Sequence, residues 1–279
     1  MVLDEYVRAR PSAALRPYAG LLSGYRQRGM APGRHRGLPS PYLTLIFTMD
    51  EPLVVAAHPD PRQPAASYDA LVGGLHLTPA LITHPGRQSG VQVSVHPLGC
   101  RALFGLPAAE IAGLDIEVSA LIGERATERV RERLREAPDW PSRFAVLDSA
   151  LLDRLVESDQ PRPEVVHACH RLLRGDVPIA VVAEEVGWSG RHLTDRFRAE
   201  VGLRPKEAAR VARFDRARRA LRPATRLADI AAGHGFADQS HLVREFHAFA
   251  GCAPSTWLAD EFGFVQALPD RPDQDVSHD

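Results

Sequence analysis

Two stretches of the chain, about fifty residues apart, carry the same apolar pattern around a glycine, and such a repeat restricts the fold more than composition does. In the first, Ile179, Val182, Ala183 and Val186 recur at helical spacing, and Leu193, Phe197 and Val201 do so after a break. Gly187 lies between the runs, where a helix commonly ends in a left-handed residue. Ser189 then stands where an N-cap oxygen is wanted. In the second stretch, Leu227 to Gly251, the residues Leu227, Ile230 and Ala231 precede Gly235, Asp238 takes the cap position, and Leu242, Phe246 and Phe249 follow. The turns differ by one residue, as related units do. Each unit reads as a helix-turn-helix, whose second helix enters the major groove of DNA.

Between the units, a helix from Pro205 carries Lys206 through Leu221. At 1.5 Å per residue it is about 25 Å long. That length can hold two reading helices roughly one DNA turn, about 34 Å, apart. The net charge of −1 looks unsuited to DNA, so its distribution decides. From Trp188 to Arg222 there are eleven basic and four acidic side chains, a net +7. From Pro223 to Leu258 the balance is −1, so the first unit should release more counterions. Lys206 is the only lysine in an arginine-rich chain, so the clustering of basic residues carries the signal and their number does not.

Residues 165 to 258 resemble the AraC/XylS family of bacterial transcription regulators. The first unit carries A-x-x-V-G-W-S at Ala183 to Ser189 and H-L-x-x-x-F at His192 to Phe197. G-L-R-P at Gly202 to Pro205 and R-F-D-R-A-R-R-A-L at Arg213 to Leu221 follow. The second unit is more diagnostic, with G-F-A-D-Q-S-H-L at Gly235 to Leu242, R-E-F at Arg244 to Phe246 and G-C-A-P at Gly251 to Pro254. His247 stands where the family usually has Lys or Arg, and Trp257 where Tyr is usual.

The resemblance implies a set of contacts. Arg191, Thr194 and Asp195 on the first reading helix, and Gln239, Ser240 and Arg244 on the second, occupy base-reading positions. Arginine suits guanine and glutamine suits adenine, while Ser240 suits either a base or a phosphate. Asp195 either accepts from a cytosine amino group or orients Arg191 or Arg198. Phosphate contacts fall to Ser189, Arg196, Arg198, Arg204, Lys206, Arg210 and His241, with a solvated helix face as the bland alternative and packing as the alternative for His241. Arg213 faces inward by the family pattern.

Upstream, the 279 residues leave room for a second domain. A short helix is expected at Ala13 to Ser23, then strands at Tyr42 to Met49, Leu53 to Ala57, Ala70 to Leu77, Ala80 to His84 and Val91 to His96. The last alternates strictly, with Val91, Val93 and Val95 on one face. This spacing suggests a small antiparallel barrel or sandwich. Leu43, Leu45, Phe47, Val93 and Val95 could line a pocket or simply form its core. Amphipathic helices follow at Val118 to Arg135 and Trp140 to Val156. The order of elements is similar to the family plan of a cupin-like N-terminal domain that binds an effector or dimerises. The expected class is therefore two-domain α+β, divided as 1–158, 159–265 and a disordered tail, 266–279, with a linker at Ser158 to Pro163.

Double-stranded DNA is the expected partner; RNA polymerase, a small-molecule effector and a second copy of the chain are further candidates. The chain has no apolar run long enough to span a bilayer and no signal-peptide core, so a cytoplasmic setting is expected. His76, His84 and His96 lie on or beside expected strands, and His167, Cys169 and His170 on a helix, yet no ligand spacing is complete, so neither metal nor cofactor is expected. No G-x-S-x-G, phosphate-cradling glycine loop or H-E-x-x-H is present, and no enzyme is expected. One different class remains. Cys100 could be the reactive thiol of an alkylation-repair module fused to such a DNA-binding domain, although no companion thiols or activating His stand beside it. The other alternative is a ligand-independent regulator with a pure interaction domain.

Overall fold

The computed structural model describes residues 2–155, 160–175 and 177–261. The expected tail, 266–279, lies outside these residues, as do Ser158 and Asp159 of the expected linker.

Ten strands build the N-terminal part: β1 (Leu3–Ala9), β2 (Ala19–Arg28), β3 (Gly33–Gly37), β4 (Leu43–Thr48), β5 (Leu53–Ala57), β6 (Ala66–Tyr68), β7 (Ala70–Gly73), β8 (Ala80–His84), β9 (Gln88–Val95) and β10 (Asp115–Glu117). They form two antiparallel sheets, one in the order β1-β2-β9-β4-β7-β10 and one in the order β3-β8-β5-β6. The alternation of side chains assigns each face. Ile46 and Leu71 of the larger sheet meet Leu53, Val55, Tyr68, Ala80 and Ile82 of the smaller in one apolar cluster. Leu43, Leu45, Phe47, Val91, Val93 and Val95 point the other way, into the main core under the helices.

Those helices are α1 (Cys100–Phe104), α2 (Ser119–Ile122), α3 (Glu124–Glu136) and α4 (Trp140–Leu152). The single helix expected from Val118 to Arg135 is broken at Gly123, whose φ of 86° and ψ of 148° turn the chain between α2 and α3. The helix expected at Ala13 to Ser23 is absent. Leu15 and Leu22 are both buried, but the chain turns at 13–18 and then enters β2, which pairs with β1 and β9. The strand expected to reach Leu77 ends at Gly73.

The C-terminal part is helical: α5 (Pro163–Arg174), α6 (Ile179–Glu185), α7 (Gly190–Val201), α8 (Pro205–Ala220), α9 (Leu227–Gly233), α10 (Gln239–Ala250) and α11 (Pro254–Glu261). The connector α8 is its axis, because Ala208, Val211, Ala212, Phe214 and Ala217 are all buried. Phe214 lies 5.1 Å from Phe246 and 5.0 Å from Phe249, so the second unit is anchored on the connector.

The two parts touch through charge and close backbone approach. Arg101 of α1 donates from Nε and Nη2 to both carboxylate oxygens of Glu200 in α7, at 2.7 and 2.9 Å. Arg36 of β3 reaches Asp260 of α11 at 3.2 Å. Gly202, which ends α7 at φ 89°, lies so close to the N-terminal part that a Cβ there would be 2.5 Å from Ala112 Cβ.

Candidate nucleic-acid interface

In the first unit, α6 is short because Gly187 takes φ 69° and turns the chain. Ser189 then starts α7 by accepting from the His192 backbone N–H at 3.2 Å. In the second unit Gly235 takes φ 76°, and Asp238 accepts from the His241 backbone N–H at 2.6 Å to start α10. The same local chemistry thus sets both reading helices. Leu193, Phe197 and Val201 fix the inner face of α7, and Leu242, Phe246 and Phe249 that of α10.

Burying those faces leaves the others in solvent. On α7, Arg191, Asp195, Arg196 and Arg198 are exposed, and Thr194 is half-buried. The Thr194 hydroxyl donates to the Gly190 carbonyl at 2.8 Å, so its oxygen can accept and its methyl can pack, but its proton is engaged. On α10, Gln239, Ser240, Arg244 and His247 are exposed. Ser189, Arg204 and Lys206 are also exposed, beside the start of α7 and the start of α8.

Two of the expected phosphate contacts have other occupations. Arg210 is gripped by Glu245, with Nε 3.0 Å from Oε2 and Nη2 2.7 Å from Oε1, and its guanidinium lies 5.1 Å over the Phe249 ring. It braces α8 against α10, an occupation that weighs against its expected place on DNA. His241 accepts from the Ala237 N–H at 3.2 Å and stacks edge-on against Phe236 at 5.4 Å, which favours packing, the alternative weighed for it. Arg213 faces inward, over Phe236 at 5.0 Å.

The +7 cluster is thereby divided. Arg218 and Arg219 hold the buried Asp215 at 2.5 and 2.7 Å. Burial would raise the Asp215 carboxyl, but the two guanidiniums outweigh it and hold it below the usual range. Arg216 donates to the Leu173 carbonyl at 3.0 Å, and Arg222 to two nearby carbonyls at 2.6 and 2.7 Å. The exposed cations that remain from this cluster are Arg191, Arg196, Arg198, Arg204 and Lys206, grouped on α7 and at the start of α8.

Cys100 fits poorly with nucleophilic chemistry. It is fully buried, and burial, reinforced by Glu200, pushes its thiol up to about 12. Among the described residues no group of three or more His, Cys, Asp or Glu side chains is placed to hold a metal ion, and no helix is long and apolar enough to cross a membrane.

A second feature escaped the sequence pattern. A cleft of about 630 Å³ opens between the outer face of β2 and β9 and the helices α5 and α8, with Arg10, Tyr42, His96, Arg174 and Arg216 on its walls. Burial first, then His170 and Arg174, lower the His96 imidazole from its ordinary value. In the sequence these are scattered single residues, and only the docking of the two parts brings them together.

The comparisons with known proteins agree with this architecture. ToxT from Vibrio cholerae is similar in structure at 10% identity, covering 85% of this chain and 97% of that one with a TM-score of 0.51. Unsaturated fatty acid-bound wild-type ToxT from Vibrio cholerae strain SCE256 is similar at 10% identity, 87% and 95% coverage and a TM-score of 0.52. At this identity the likeness shows the fold: two-domain α+β with a sheet-rich, cupin-like N-terminal half. A search of curated proteins finds no match. Residues 182–260 match the family model described as a helix-turn-helix domain.

The matched stretch takes in both capped units, so the helical part of the chain carries a helix-turn-helix domain, the class of fold that places a helix in the major groove of DNA. Its C-terminal region belongs with helix-turn-helix domains over residues 182–260.

Proposed function

We propose that the chain reads a specific DNA sequence across two successive major grooves, with α7 in one and α10 in the next. Arg191, Thr194 and Asp195 face bases in the first groove, and Gln239, Ser240 and Arg244 in the second. Ser189, Arg196, Arg198, Arg204 and Lys206 hold phosphates. The observation that carries this reading is the pairing of two helices capped in the same way, by Ser189 and by Asp238, whose polar faces stay in solvent while their apolar faces are buried. The division at 158/159 belongs to the same reading, with regulation in the first part and DNA in the second.

The N-terminal domain senses a small molecule, and the cleft between the domains is where it would act. A ligand there touches both halves, so it can favour one arrangement by binding it more tightly. ToxT has been solved with an unsaturated fatty acid bound. Here the basic walls of the cleft suit a ligand with an anionic group. Assembly of a dimer through the N-terminal domain, with RNA polymerase as the onward partner, completes the scheme.

The test compares Arg191→Ala with Lys206→Ala on a selected site and on random DNA. Arg191→Ala should lose about 1 to 3 kcal/mol of discrimination at one base step. Lys206→Ala should weaken both DNAs alike and lower the salt slope by about one. Equal losses on both DNAs for Arg191→Ala would remove it from the readers.

A further inference from the structure

On the opposite face of the larger sheet from the cleft, a cavity of about 520 Å³ lies between β4 and the hairpin of α3 and α4. Its floor is core: Leu45, Phe47, Leu103, Val118, Leu147 and Leu151 are all buried. Above this packed floor the groove is partly open to solvent, with Ile122, Ala126 and Ala150 half-buried along its walls. It falls within the roughly 300 to 1,000 Å³ of small-molecule sites.

The rim has the opposite character. Arg129 and Arg133 stand one turn apart on α3 and Arg154 follows α4, against the single carboxylate of Asp153. Among the described residues none of the three arginines has an ion-pair partner. The Nε of Arg154 is buried without a hydrogen-bond acceptor among the described residues. A buried donor left unmade costs about 1 to 3 kcal/mol, so an acceptor at this rim would recover it. Arg131 is paired with Asp69 and Glu128, and Arg135 with Glu128.

We infer that this cavity is a second ligand site, for an amphipathic anion whose apolar body lies along Ile122, Ala126 and Ala150, above the floor of Leu45, Phe47 and Leu147, and whose carboxylate or sulfonate meets Arg129, Arg133 and Arg154. The inference stands on the N-terminal domain alone and does not depend on which DNA sequence is read. The site also has a physical connection to the reading helix. Leu103 and Phe104 of the five-residue α1 line the cavity, while Arg101 of the same helix grips Glu200 on α7. An occupant therefore presses on the element that holds the first unit.

The experiment titrates the full chain with anilinonaphthalene sulfonate, followed by fluorescence, and displaces it with dodecanoate or with the uncharged dodecanol. Dodecanoate should bind about tenfold more tightly than dodecanol, the equivalent of one charge-assisted hydrogen bond. The surface variant Arg129→Gln and the rim variant Arg154→Gln should each weaken dodecanoate several-fold and leave dodecanol unchanged. Ala150→Trp, which fills the cavity from α4, should abolish binding of both, and the two rim variants keep the test decisive if it fails to fold. Equal affinity for acid and alcohol would overturn the proposal. So would binding that is insensitive to Arg129→Gln and Arg154→Gln but lost in Arg174→Gln, which would assign the ligand to the interdomain cleft.

Discussion

Arg101 and Glu200 form a two-point ion pair, at 2.7 and 2.9 Å, between a short helix of the N-terminal domain and the last turn of the first reading helix. Glu200 is only 8% exposed, so its carboxylate relies on this partner. Arg101→Ala should therefore destabilise the full chain by about 1 to 3 kcal/mol, and the double variant with Glu200→Ala should recover part of that loss. Thermal melts of the two single variants and the double variant give the coupling. Strictly additive losses would mean that the pair does not hold the domains together.

Gly202 is constrained twice over, by a φ of 89° and by the 2.5 Å approach that any Cβ would make to Ala112. Gly202→Ala should cost more than the roughly 1 kcal/mol of the backbone effect alone, because the interface must also part. Limited proteolysis should then cut between the domains faster than in the parent chain. An unchanged digestion pattern with a small loss of stability would leave only the backbone effect.

Arg210 and Lys206 lie one turn apart on α8 yet have different work. Lys206 is exposed, whereas Arg210 is closed on Glu245. Lys206→Ala should lower the slope of log affinity against log salt by about one and leave the melting temperature in place. Arg210→Ala should do the reverse, lowering the melting temperature by a few degrees with the slope unchanged. A reduced slope in Arg210→Ala would return it to the phosphate contacts.

The sequence foretells this division unevenly, and the reason is range. Caps, glycine turns and apolar spacing act within a few residues, so Ser189, Asp238, Gly187 and Gly235 announce both units. The three valines of β9 likewise declare the buried face. β1 and β2 are different, because LDEYVRA and AGLLSGYRQR become strands only through pairing with each other and with β9. In isolation Leu15 and Leu22 look like one helical face. The partners of Arg210 and Arg101 depend on tertiary docking, and nothing adjacent in the chain encodes them.

His35 on β3 offers a pH test. Burial, and secondarily the nearby His84, lower its imidazole from 6.5 to about 4. Its folded value is depressed below the unfolded one, so between these pH values the unfolded chain binds a proton that the folded chain refuses. Stability is thus present above pH 6.5 and is lost as pH falls towards 4, by roughly 3 kcal/mol at full extent. Melting temperatures measured between pH 7 and 4 should fall, and His35→Phe should flatten the curve. An equally steep fall in His35→Phe would place the effect elsewhere.

Selection of bound sequences from a random pool by the intact protein decides whether α7 and α10 read DNA together. The expected result is an enriched motif of two blocks centred about one helical turn, roughly 10 base pairs, apart. Arg191→Ala should relax one block and Gln239→Ala the other. Enrichment of a single block that ignores Gln239→Ala, or no enrichment at all, would contradict it.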